Sequence, residues 1–455
     1  MASISTTSTA YSTTLIVGGG IFGTSTAYHL ALAGGSGGNG TGEGGHRNGS
    51  DGDGTGTGTG RGCGITVLDR APSPSPQAAS TDYNKIVRAD YGVPFYMELG
   101  YEAMEAWANW DIFRGGGEEQ RLDEGAEEGE TARTDVYHQT GWVMLDDEKE
   151  SDHLAARIRR NFRDSGRKDP TSDIGLVEAR HMWGGVFRNS DFSKITSAYY
   201  NPEAGWADAA DAVQRMMSDA VRRGVRYEVG DVVEILLAEG DDRSTVRGVR
   251  CRDGREFTAD KVLLATGAWT SKLMAGIEDR LNLEEKDSIE EQATAAGVCV
   301  AHFVLNDVEL ERVKDMPVVI HGQNGDIQPP TKDRIFKFTN SATFTNTVQL
   351  ANGRHLSVPP DQEQNNIPSK LKEETIEIIR REMPEMLENG RRPDIWRLCC
   401  TLVLLWTFQK ARLDTGREGF MAQTAAHDAD EHDAHEEDDE YDEDEDDDDA
   451  VDVPK

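Results

Sequence analysis

Between Thr13 and Gly34 the chain reads TTLIVGGGIFGTSTAYHLALAG, and this stretch constrains the fold more than any other. Thr13–Val17 is a short β-rich run, and Ile21–Ala33 has helix-forming composition with apolar residues at helical spacing. Gly18, Gly20 and Gly23 stand between them as G-x-G-x-x-G. In a strand–turn–helix unit the first glycine permits the turn and the second lets backbone approach a pyrophosphate. The third lets helix pack on strand. The helix N-terminus then faces the phosphates. Such turns are often only turns, so context matters. Here a strand precedes, a helix follows, and Asp69 closes the next strand, ITVLDR (Ile65–Arg70), where a carboxylate suits a ribose hydroxyl.

Asp69 stands far beyond the roughly 20 residues expected from the first turn. The excess is residues 34–64, of which 16 of 31 are glycine. Such a segment cannot bury a core, so it reads as a flexible loop inserted between helix and strand. The acidic GGGEEQRLDEGAEEGETAR (115–133) reads as a second surface insertion. VYHQTGWVMLD (136–146) suggests a hairpin, and 205–237 a helix followed by two strands. KVLLATGAWT (261–270) reads as a buried strand ending in small residues. Short strand patterns fill 297–357, and 368–387 reads as a helix that Pro384 kinks or ends.

Charge narrows what such a chain binds. A formal net charge of −35 argues against nucleic acid and anionic membranes. Residues 428–452 hold 18 acids, so the rest carries about −17, and 424–455 reads as a disordered acidic tail. Cys63, Cys251, Cys299, Cys399 and Cys400 show neither metal nor disulfide spacing, which suggests a reducing compartment. No secretory signal opens the chain. The run CCTLVLLWTF is too short for a bilayer, which needs about 20 residues. A soluble intracellular monomer is expected, cytoplasmic or peroxisomal, although no C-terminal peroxisomal signal is seen. No metal site is expected, and His138, His302, His321 and His355 read as isolated structural or exposed residues.

The segments IVGGGIFGTSTAYHL, ASTDYNKIVRADYG, GWADA, LLATGAWTSKL, GVCVAHF and RIFKFTN together resemble the D-amino-acid oxidase superfamily. More closely they are similar to the fungal sarcosine, fructosyl-amino-acid and saccharopine/pipecolate oxidases. The resemblance runs from about Thr13 to Cys399. It implies an α/β fold: a Rossmann-like FAD-binding domain interleaved with an α+β substrate domain on a mixed or antiparallel sheet. The expected division assigns 12–95 and 201–275 to the FAD domain and 96–200 and 276–390 mainly to the substrate domain. Residues 391–423 would be an aberrant or truncated end of the FAD domain.

The resemblance also implies site residues. Gly18, Gly20, Ile21, Phe22, Gly23, Asp69, Arg70, Ser80, Lys85, Val232, Thr266, Gly267 and Trp269 would hold FAD. Arg88 would pair with a substrate carboxylate, for which a guanidinium fork is well shaped; alone, it could be a solvated loop charge. Lys337, between two aromatics, would sit by the flavin and stabilise developing superoxide; alone, it could be an edge-strand lysine. Cys399 would carry the flavin as a thioether, whereas a lone cysteine is usually just buried. The implied reaction oxidises a secondary amino acid or N-alkylated amine by hydride transfer to flavin N5, and O2 becomes H2O2.

After Cys399 the chain departs from the family's pattern: CTLVLLWTFQKARLDTGREGFMAQ leads into the acidic tail, without the family's Gly/His-rich segment and its lysine. A weakly held, non-covalent FAD and little turnover are therefore expected. Two other readings stay open. One is a non-catalytic flavin-fold protein whose acidic tail binds basic partners. The other is an FAD dehydrogenase with a different electron acceptor.

Overall fold

A computed structural model describes residues 13–35, 63–115, 134–147, 151–238, 245–321, 324–360 and 367–404. The glycine tract, the 115–133 insertion and the acidic tail lie wholly or almost wholly outside these residues.

The opening motif folds as its residue types dictate. Strand Thr14–Val17 runs into helix Ile21–Gly35. The strand sits inside a four-stranded parallel sheet, ordered Lys261–Leu264, Thr14–Val17, Ile65–Asp69, Arg226–Val229. Thr14 is opposite Lys261 on one side and Ile65 on the other. The sheet is thus interrupted after Val229 and resumed at Lys261. Because side chains alternate along a strand, Ile16 faces one way and Leu15 and Val17 the other. Ile16 and Val67 pack on Ala27 and Ala31 of the first helix and on Met216 of helix Ala209–Arg222. Leu15, Val17 and Leu68 pack on Val249 and Cys251. Those two belong to an antiparallel meander of Val232–Leu237, Val246–Cys251 and Glu256–Thr258. Both faces of the parallel sheet are covered, as parallel strands require.

Its Lys261–Leu264 edge is a correction to the sequence reading. The run KVLL was expected to be a buried strand, yet Lys261 and Leu263 are exposed. The cause is position: among the described residues no strand pairs with its outer side.

An eight-stranded mixed sheet forms the second layer. Its order is Ile395–Leu404, Ala293–Val304, Ile335–Phe344, Gly325–Gln328, Val318–His321, Trp142–Asp147, Ile195–Asn201, Ser172–Asp173. All pairs are antiparallel except Val318–His321 with Trp142–Asp147. One face carries a large core that includes Phe303, Phe336 and Phe338, all fully buried. Ile395–Leu404 pairs along ten positions with Ala293–Val304. Residues 395–404, part of the 391–423 stretch expected to be an aberrant or truncated end of the FAD domain, are therefore hydrogen-bonded into the mixed sheet; 405–423 lie outside the described residues.

The expected hairpin at 136–146 does not form. Tyr137–His138 joins a small sheet with Gly205–Ala207 and Lys85–Val87, while Trp142–Asp147 enters the mixed sheet. Gly141 makes the change of direction with φ +83°, and a Cβ there would strike the Tyr200 ring. Sequence alternation marks both strands but not their partners. Helix Ser369–Glu382 stops before Pro384, as the sequence indicated.

Candidate active site

Two cavities meet at Ala79, which lines both. The first, about 420 Å³, opens over the glycine turn, and that volume is of the order of cofactor sites. Gly18, Gly20, Ile21 and Phe22 line one end, and Asp69, Arg70 and Ser80 another. Val232, Thr266, Gly267 and Trp269 complete it. The Arg70 guanidinium lies 4.2 Å from the Trp269 ring centroid. The three glycines differ in what they permit. Gly18 has φ +106°, and a Cβ there would meet the Ala265 carbonyl oxygen at 2.2 Å. Gly23 does not line the cavity; a Cβ on it would meet the Gly18 carbonyl oxygen at 1.8 Å. It allows helix to lie on strand. Gly20 is different: a Cβ there would make only ordinary contacts, with Ser80 Oγ at 3.6 Å and Ala78 Cβ at 3.7 Å, on the cavity wall. That is the cradle a pyrophosphate needs. Asp69 braces the turn, because Gly19 N–H donates to its Oδ2 (2.7 Å).

The second cavity, about 150 Å³, is lined by Arg88 and Lys337, read as catalytic, and also by Lys85 and Cys399, which were read as flavin-holding but do not line the first cavity. Lys337 lies on an interior strand, so the edge-strand alternative does not hold. Alternation explains its direction: Phe336 and Phe338 enter the core, and Lys337 between them turns to the opposite face. Arg88 is not a solvated loop charge. Its guanidinium is stacked against the rings of Tyr91 (4.4 Å) and Trp142 (4.6 Å), and it donates to the Asp90 carbonyl. Cys399 and Cys400, being adjacent on one strand, divide between the cavities: Cys399 lines the second and Cys400 the first. Lys85 Nζ is 3.5 Å from Cys399 Sγ.

Four residues here were missed from sequence. Asp82 is buried, and its Oδ2 accepts from Lys337 Nζ (2.7 Å) and Lys85 Nζ (3.0 Å). Burial opposes its ionisation, but Lys337 and Lys85 hold the carboxyl well below its ordinary range. Burial likewise opposes charge on Lys85, yet Cys399 and Asp82 push its pKa up. Asp326 and Gln328 line the second cavity and bond each other. A D-x-x-K spacing is too common to mark Asp82 in advance. Arg397 fixes the loop before it, donating to the carbonyls of Thr81, Pro76 and Ala78.

Behind Arg88, the buried Asp90 accepts from Tyr199 Oη (3.1 Å) and Asn201 Nδ2 (2.8 Å). Burial raises its carboxyl to about 6, against the pull of Arg88. A folded-state value above the unfolded one favours folding below about pH 4, and that contribution is lost as pH rises through about 6. The loss is at most about 3 kcal/mol. Asp90→Asn should therefore flatten the stability change between about pH 4 and 6 in urea unfolding. An unaltered slope would show that Asp90 does not titrate there.

The sequence profile of the family described as FAD dependent oxidoreductase (DAO) matches residues 13–396. The chain belongs to this family. As a member it is similar to L-saccharopine oxidase of Schizosaccharomyces pombe, 26% identical over 254 residues, 53% of this chain and 50% of that protein. It is also similar to amino acid oxidase fsqB of Aspergillus fumigatus, 25% identical over 213 residues, 43% of this chain and 39% of that protein. The chain thus aligns with half or less of the curated relatives' length. Among solved structures, fructosamine oxidase (Amadoriase II) from Aspergillus fumigatus matches with TM-score 0.64 at 24% identity, covering 86% of this chain and 77% of that one. Fructosyl peptide oxidase from E. terrenum matches with TM-score 0.63 at 22%, covering 87% and 80%. These two show the fold. FAD is the family's cofactor, and the Gly20 cradle and the cavity above it fit it. Among the described residues no helix is long and apolar enough to cross a membrane.

Proposed function

We propose that this chain is an FAD-dependent oxidase of N-substituted amino acids, of the sarcosine, pipecolate, saccharopine or fructosyl-amino-acid type. The observation that carries the proposal is the pair of adjoining cavities, one over the glycine cradle and one holding Arg88, Lys85 and Lys337. The FAD domain is proposed to comprise 12–95 and 201–275, and the substrate domain mainly 96–200 and 276–390.

FAD held over the glycine cradle would supply the redox chemistry, as acceptor for the substrate's C–H hydride and donor to O2. Gly20 would admit its pyrophosphate, and Asp69 and Arg70, on the same cavity wall, would hold its sugar. Arg88, held rigid between two rings, pairs with the substrate carboxylate and orients the amine. The apolar walls of the second cavity, Ile86, Val298 and Val300, exclude water. Lys337 presents a fixed cation where O2 takes up negative charge. Cys399 is the proposed point of covalent attachment.

The test is hydrogen peroxide formation from sarcosine, pipecolate, saccharopine and fructosyl amino acids, with FAD supplied in excess. Arg88→Met should raise KM for the best substrate about 10- to 150-fold, the value of a charge-assisted contact of about 1.5–3 kcal/mol. Peroxide formation with an unchanged KM would remove Arg88 from the site. Flavin reduction without peroxide would favour a dehydrogenase.

A second reading draws on the exposed Leu263 at the open edge of the parallel sheet. In it the flavin domain is incompletely covered, FAD is held weakly, and turnover is low.

A further inference from the structure

The Asp82 carboxylate is the only acid that bonds both lysines of the second cavity among the described residues, and nothing in the proposed reaction uses it. Its surroundings are specific. Oδ2 takes both ammonium groups, while Oδ1 accepts from the Tyr83 backbone N–H (2.8 Å). The Lys337 ammonium has one further acceptor, the Asn84 carbonyl at 3.1 Å. The other titratable groups around this point are few. His302 Nε2 lies 3.9 Å from Asp82 Oδ1, on the neighbouring strand, opposite Lys337. Burial pushes the His302 pKa down, so it adds no charge near neutral pH. Cys399 lies beside Lys85, and Asp326 faces the same cavity.

We infer that Asp82 is a positioning residue: one buried carboxylate pins the Lys85 and Lys337 ammonium groups together on the wall of the second cavity. This rests on the proposed oxidase reading for its catalytic consequence, but not for its electrostatics. A buried cation, Lys337, and a partly buried one, Lys85, repel with no anion between them, and the buried one lacks a desolvation partner. With the carboxylate present they form a fixed pair whose excess single positive charge faces the space where substrate and O2 react. The carboxylate thus gives the buried ammonium on this strand a partner for its charge.

Asp82→Asn keeps the shape and removes the charge. The full chain is unfolded thermally at about pH 7 and about pH 9.5, below and near the ordinary lysine range. Asp82→Asn should melt lower than the parent at the first pH, and the gap should narrow at the second. The sign follows because the variant's folded state disfavours a second ammonium that the unfolded chain keeps, and raising the pH removes that difference. Asp82→Asn/Lys337→Met should melt higher than Asp82→Asn alone. A gap equal at both pH values, with no recovery in the double variant, would overturn the inference and leave Asp82 as packing. If Asp82→Asn fails to fold, a folded double variant supports the charge argument and an unfolded one overturns it.

With FAD bound, a second readout concerns reaction. Reoxidation of reduced flavin by O2 in Asp82→Asn should approach the parent at low pH and fall about tenfold per pH unit above a new ionisation. The parent should show no such break below the lysine range. A parent-like profile in a variant that melts as described would confine Asp82 to stability. Absence of any flavin turnover in the parent would count against the oxidase reading while leaving the melting result to decide the electrostatic one.

Discussion

Gly20→Val should give a folded protein that no longer binds FAD. A Cβ at Gly20 lies in ordinary contact with its nearest neighbour, Ser80 Oγ at 3.6 Å, so the protein itself accepts a Cβ there. The branched carbons then fill the space where backbone must approach a pyrophosphate. The contrast with Gly23 makes the prediction sharp. There a Cβ would lie 1.8 Å from a backbone oxygen, so Gly23→Val should unfold the strand–helix unit outright. Circular dichroism and flavin absorbance on FAD titration separate the outcomes: native spectrum without flavin for Gly20→Val, lost native spectrum for Gly23→Val. Full flavin binding by a folded Gly20→Val would mean that the turn is only a turn.

Lys337→Met should separate the two halves of the reaction. The ammonium is buried, directed away from Phe336 and Phe338, and held by Asp82 and Asn84. Removing a preorganised cation from where charge develops costs about 100- to 1,000-fold in rate, and here the cost should fall on reoxidation by O2. Anaerobic reduction of the flavin by substrate should stay within a few fold of the parent. Breaking a buried pair is often severe, but Asp82 keeps Lys85 at 3.0 Å, so Lys337→Met should remain folded. Rapid-mixing measurements of both half-reactions provide the check. Equal slowing of the two would place Lys337 in substrate positioning, and no change in either would make it structural.

The residues that could be read in advance are those whose chemistry is local. The glycine turn announced itself by spacing, and Gly18, Gly20 and Gly23 each meet a distinct steric demand in the fold. Lys337 was legible because one lysine between two phenylalanines on a strand must face away from the core they enter. What remained hidden depends on distant pairing. Asp82 matters because the chain brings Lys337, 255 positions later, to within 2.7 Å of it. The strand at 142–147 gave no sign that it would abandon its neighbour at 137–138 for partners at 195–201 and 318–321. Which strand of the parallel sheet would form its exposed edge was not legible either, because KVLL reads the same at a sheet's edge as in its middle. The resemblance supplied roles for Arg88 and Cys399, but not the Tyr91 and Trp142 rings that hold the arginine or the lysine that stands beside the thiol.

The central claim is that flavin occupies the cavity above Gly20 and meets an amine substrate from the adjoining cavity. Its most direct test is anaerobic mixing of the FAD-titrated chain with the N-substituted amino acids named above, followed by admission of air. The yellow flavin band should bleach with at least one of them, in the parent and in Lys337→Met but not in Gly20→Val, and should return in air with formation of peroxide. A chain that stays colourless with excess FAD, or a flavin band that none of these amino acids bleaches, would contradict the account.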